Sequence, residues 1–118
     1  MVERRKFIRF SIPVDVKYGA PVEGIEGLSM SRDVSREGIG FPMNKQMARG
    51  TMLELKIGIP GELAPIIARG EVAWVKESSE KADFDAGVKV VKMNPFDRSR
   101  LLEYGYKEWL KVMDKMEK

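Results

Sequence analysis

Two residue types that carry much of enzyme chemistry are missing from this chain of 118 residues, which has no cysteine and no histidine. Without cysteine there are no disulfides, no thiolate nucleophile and no cysteine-containing zinc site. Without histidine the commonest general base at neutral pH and the commonest transition-metal ligand are gone as well. Asp and Glu number 18, yet no pair stands at a recognisable spacing beside a nucleophile, a metal-ligand set or a phosphate loop. The expectation is a binding protein and not an enzyme, with no cofactor and no metal.

Long apolar runs are missing too. The first six residues, Met-Val-Glu-Arg-Arg-Lys, are charged, and no apolar stretch of signal-peptide length follows them. The least charged stretch, Ile57 to Ile67, contains Pro60, Gly61, Glu62 and Pro65, so no segment is suited to crossing a bilayer. The chain reads as cytoplasmic, without membrane insertion.

What is present is the composition of one globular domain. Hydrophobic residues make up 43% and charged residues 33%, enough to build a single core and stay in solution. A net charge of +3 favours anionic ligands but falls short of a dedicated nucleic-acid binder. The basic residues are concentrated at one end, where Arg4, Arg5, Lys6 and Arg9 crowd the first nine positions.

Periodicity then assigns elements. Phe10, Ile12, Val14, Val16 and Tyr18 alternate with Ser11, Pro13, Asp15 and Lys17, the period of a half-buried strand, with Pro13 marking an edge or a bend. Gly19 to Gly27 reads as a connection, Leu28 to Val34 as a second strand, and Ile39 to Phe41 as a short third one stopping at Pro42. Met43 to Gly50 reads as a polar linker. Leu53 to Ile59 alternates up to the Pro60-Gly61 turn, and two further strands follow over Ile66 to Lys76 and Phe84 to Val90. Asn94-Pro95 then starts a helix with Asn as N-cap and Pro as its first residue. On that helix Leu102, Tyr106, Trp109, Leu110, Met113 and Met116 form an apolar stripe expected to lie on the barrel or on another helix. Trp74 is expected in the core and Trp109 at the helix interface. Gly105 sits mid-helix at a cost of about 1 kcal/mol relative to Ala, so packing, a close approach or a kink must compensate. About six antiparallel strands and one C-terminal helix make a mainly β fold, a small split barrel.

Two local patterns bear on function. Arg5-Lys6-Phe7-Ile8-Arg9 is an Arg-x-x-x-Arg segment ahead of the first strand, though Arg32 with Arg36 repeats the spacing. Asp33-Val34-Ser35-Arg36-Glu37-Gly38 places a carboxylate, a hydroxyl and a glycine at a strand end. By itself that second run is equally an ordinary turn, with Asp33 or Ser35 bonding nearby N–H groups and Gly38 supplying a positive φ.

In this order the two patterns resemble the two-part signature of PilZ domains. The likeness extends along the chain, through Glu3-Arg4-Arg5, the Gly50 to Ile59 strand, Arg69-Gly-Glu-Val-Ala-Trp-Val75 and Gly87-Val-Lys-Val90 before the Asn-Pro helix. Val90, where many relatives carry an aromatic, and the long C-terminal helix depart from the pattern. The resemblance implies a receptor for cyclic di-GMP. Arg5 and Arg9 would fork onto phosphates or guanine edges and stack on purines, Asp33 would accept from the donor edge of guanine beside Ser35, and Gly38 would let backbone approach. Arg4 adds a third cation, which in relatives accompanies two intercalated ligands, so two molecules per chain are expected.

The domain expectation is a single unit, 1–118, with a flexible arginine-rich clamp at 1–9, the barrel at 10–92 and the helix at 95–117. Ligand binding would order the clamp and signal to a separate, unidentified effector, and the helix stripe leaves room for a homodimer. A ligand-independent adaptor is the alternative. A barrel for single-stranded nucleic acid is less favoured, because the strands do not interleave aromatics with basic residues.

Overall fold

The alternation over residues 10–18 buries what it should: Phe10, Ile12, Val14, Val16 and Tyr18 are all inside. In the computed structural model, which describes residues 9–77 and 83–116, only the second half of that run forms a ladder strand, β1 (Asp15–Ala20). The first half is fastened otherwise. Phe10 and Val34 exchange two backbone hydrogen bonds of 2.7 and 2.8 Å. The buried Ser31 hydroxyl accepts from the Val14 N–H at 2.8 Å and donates to the Ile12 carbonyl at 2.6 Å.

That use of Ser31 breaks the expected Leu28 to Val34 strand in two. β2 (Ile25–Met30) begins inside the run read as a connection, and β3 (Asp33–Val34) resumes after the corner at Ser31 and Arg32. The sheet therefore has seven strands, not six. β4 (Gly38–Met43), β5 (Met52–Gly58), β6 (Ile66–Glu77) and β7 (Phe84–Met93) complete it, in the antiparallel order β2-β1-β5-β6-β7-β4-β3.

β4 passes through Pro42 instead of stopping there. The carbonyls of Gly38 and Gly40 point away from β7, to Ser35 and Arg32, and by the period of two Pro42 faces the same way. Its missing N–H thus removes no bond to β7. Its carbonyl accepts from the Ser29 hydroxyl at 2.6 Å, which brings β2 to β4 and curls the sheet into a barrel-like shape around the core.

α1 (Pro95–Met116) starts as the sequence indicates, with the Asn94 side-chain oxygen accepting from the Phe96 N–H at 2.8 Å. Arg100 ties its first turns to the β5–β6 loop, donating to Glu62 and to the Ala64 carbonyl, each at 2.6 Å, and to Asp97 at 2.8 Å. The docking face is not the expected stripe. Leu101 and Gly105 are buried and Leu102 and Tyr104 half-buried, whereas Tyr106, Trp109, Leu110 and Met113 are exposed. Gly105 explains the choice: a β-carbon there would meet the Phe10 ring at 2.8 Å, so the glycine is the point where helix and N-terminal segment touch. Burial, and Glu108 next to it, push the Tyr104 phenol above its ordinary value.

Trp74 also departs from expectation. Between Val72 and Trp74 the β6–β7 register slips by a bulge, so Val72 points inward and both Ala73 and Trp74 point out, the indole 42% exposed.

Candidate functional site

Asp33 and Gly38 flank a tight turn whose closure the sequence dictates. The Ser35 N–H donates to the Gly38 carbonyl at 2.9 Å, and the Ser35 hydroxyl lies 3.3 Å from the Gly38 N–H, which donates to it. Gly38 does not supply a positive φ; among the described residues that conformation belongs to Gly24, Gly50 and Gly61. It is glycine because β7 is close: a β-carbon there would sit 2.6 Å from the Val88 carbonyl oxygen. The Glu37 carbonyl accepts from the Val90 N–H at 2.8 Å, pinning the tip of the turn to β7.

The antiparallel pairing of Phe10 with Val34 sets Arg9 opposite Ser35 and diagonal to Asp33 on the same face. The charged groups of Arg9 and Asp33 are 3.8 Å apart and both about one-third exposed, at 33% and 32%. The guanidinium is therefore oriented yet open to solvent, and the carboxylate keeps acceptor capacity for another donor. On the far side the Trp74 indole lies across Gly87, where any side chain would collide with it.

These parts enclose one surface cavity of about 320 Å³, lined by Arg9, Asp33, Ser35 and Gly38 together with Glu37, Trp74 and Lys89. Of the six residues expected from the sequence, four are thus brought together here; Arg4 and Arg5 lie outside the described residues. Trp74, Glu37 and Lys89 were not foreseen. Trp74 reads as a core residue in any strict alternation, and a bulge leaves no mark in a single sequence. No three Asp or Glu side chains gather as a metal site among the described residues.

An antiparallel barrel with a wall of charged and aromatic groups outside its core has the make-up of a binding module, and the cavity's guanidinium, carboxylates and indole suit a planar ligand that carries both acceptor and donor edges. The chain belongs to the PilZ family: the model of the PilZ domain matches residues 3–107. Solved structures agree on the fold. The chain is similar to the Bacillus subtilis inhibitor of motility, MotI/DgrA, with a TM-score of 0.78 and 20% identity over 93% of this chain and 53% of that one. It is similar to the PilZ domain of Escherichia coli YcgR with c-di-GMP, TM-score 0.73 and 11% identity, covering 98% of this chain and 99% of that one. The K. pneumonia MrkH–c-di-GMP complex gives a TM-score of 0.73 and 16% identity over 97% and 56%. The chain thus spans about half the length of MotI and MrkH and nearly all of the isolated YcgR domain. A search of curated proteins gave no match.

Proposed function

We propose that this chain, as a single PilZ domain over 1–118, is a cytoplasmic receptor for cyclic di-GMP that passes the signal to a separate effector. The observation that carries the reading is the convergence of Arg9 with the Asp33, Ser35 and Gly38 turn, remote from it in sequence, on one cavity. The YcgR and MrkH structures, which hold this ligand, support it. Asp33 accepts from the N1–H and amino group of a guanine with Ser35 beside it, Arg9 forks onto a guanine edge or phosphate, and Gly38 keeps the wall thin. Arg5 and Arg4 supply further guanidiniums as residues 1–9 close over the nucleotide, which changes the surface offered to the effector. On this reading the site works by binding and not by turnover.

Isothermal titration with cyclic di-GMP tests this, with GTP and linear GMP as controls that should not bind at comparable concentration. Arg5→Ala and Arg9→Ala should each weaken binding by about 2 kcal/mol with the fold intact, and lysine should rescue poorly. We expect two nucleotides per chain, falling toward one in Arg4→Leu. Absence of heat at high micromolar ligand would leave the ligand-independent adaptor as the better reading.

The exposed stripe on α1 favours self-association as well. Tyr106, Trp109 and Met113 are exposed at the alternating three- and four-residue spacing of a coiled-coil seam, which suits a second copy of the same helix.

A further inference from the structure

The nucleotide cavity does not end at Lys89. A second hollow of about 380 Å³, lined by Arg49, Gly50, Glu71 and Val72, shares Ala73 and Lys89 with it. The two adjoin on the outer face of β6 and β7, with Ala73 and Lys89 between them.

The segment that brings Arg49 there is a built turn, not the polar linker its composition suggests. The Thr51 hydroxyl donates to the Ala48 carbonyl at 2.6 Å, and the Thr51 N–H donates to the same oxygen at 3.1 Å. Two more hydrogen bonds staple the turn to β6: Gly50 N–H to the Val72 carbonyl at 2.8 Å, and Val72 N–H to the Thr51 carbonyl at 2.9 Å. Gly50 holds a φ of 89°, a backbone conformation that side-chain-bearing residues avoid. Arg49 is therefore presented at a fixed place beside the second hollow.

Charge says what that place is for. Around the first cavity two cations, Arg9 and Lys89, face two carboxylates, Asp33 and Glu37, so its described wall has no surplus for a dianion. Around the second hollow Arg49 and Lys89 outnumber Glu71. Among the described residues neither cation has an ion-pair partner, so both are available to an anion. Two exposed cations without an ion-pair partner among the described residues, next to a described wall with no surplus of positive charge, match a phosphodiester.

Resting on the receptor reading above, we infer that Arg49 and Lys89 form a phosphate subsite that extends the cyclic di-GMP site along β6. The phosphate it holds belongs either to the nucleotide seated at Asp33 or to a second nucleotide packed against the first.

Titration of the full chain with cyclic di-GMP at fixed ionic strength tests this in parent, Arg49→Ala, Lys89→Ala and the double variant. Lys17→Ala, on β1, serves as a control of equal net charge. We expect Arg49→Ala and Lys89→Ala each to weaken binding roughly fivefold to tenfold, as solvent-accessible charge-assisted contacts do, and Lys17→Ala to leave it unchanged. An unaltered ratio with weaker affinity assigns the phosphate to the first nucleotide, and a ratio reduced by one assigns it to a second; both support the subsite. If the parent binds and both alanine variants bind equally well, or if Lys17→Ala weakens binding as much, the subsite is overturned and the receptor reading stands. A parent that takes up no cyclic di-GMP overturns both.

Discussion

At the scale of single residues, the positions that matter most are polar groups with two jobs. Ser31 satisfies a buried N–H and a buried carbonyl at once, joining the segment that carries Arg9 to the corner before β3. Ser31→Ala leaves both groups without a partner, and the expected loss is about 1–3 kcal/mol, read from urea unfolding; an unchanged midpoint would mean that water replaces the hydroxyl. Trp74 is the second case. Its indole lines the cavity beside Arg9 and Asp33, so, if the receptor reading holds, cyclic di-GMP should alter the emission of Trp109→Phe, which keeps Trp74, and leave that of Trp74→Phe unaltered. Trp74→Ala should weaken binding by roughly 1–3 kcal/mol, the range for a stacked base, and normal affinity in that variant would remove the indole from the site. Legibility divides along the same line. Asp33, Ser35 and Gly38 could be read because they lie within one turn, where sequence spacing is nearly spatial spacing. Trp74 could not, because one unpaired residue at the bulge reverses which face the strand presents.

At the scale of elements, β5 and the inward face of residues 10–18 follow their alternation, since burial on one face fixes register. The helix follows its caps but not its stripe. Hydrophobicity points to Trp109 and Met113, whereas docking is decided by where another group can come closest, and that is Gly105 under the Phe10 ring. The contact gives a test. Phe10→Ala removes a buried ring and should cost about 3–5 kcal/mol. Gly105→Leu should displace the ring without deleting it, lowering Tm and also weakening cyclic di-GMP binding, because Arg9 is the adjoining residue. Thermal melts and titrations of both variants report this; Gly105→Leu with parental Tm and affinity would show that the helix and the N-terminal segment do not lean on each other.

At the scale of the whole molecule, composition excluded thiol and imidazole chemistry, and no helix among the described residues is long and apolar enough to cross a membrane. The exposed apolar stripe of α1 argues for pairing between copies. Sedimentation equilibrium should find a concentration-dependent dimer, and Trp109→Glu should return the monomer with little change in Tm, since the ring is exposed and its aromatic contact is with Tyr106, itself exposed on the same helix; a parent monomeric at high micromolar concentration would leave the stripe to another partner. The seam where β2 meets β4 has a different consequence. A strand arriving from a neighbouring molecule would find no N–H at Pro42 and a carbonyl already occupied by Ser29. Sheet growth from copy to copy is thus blocked at that seam by a missing donor and an engaged acceptor. At Pro42, then, the closure of the barrel offers nothing to the edge of another copy.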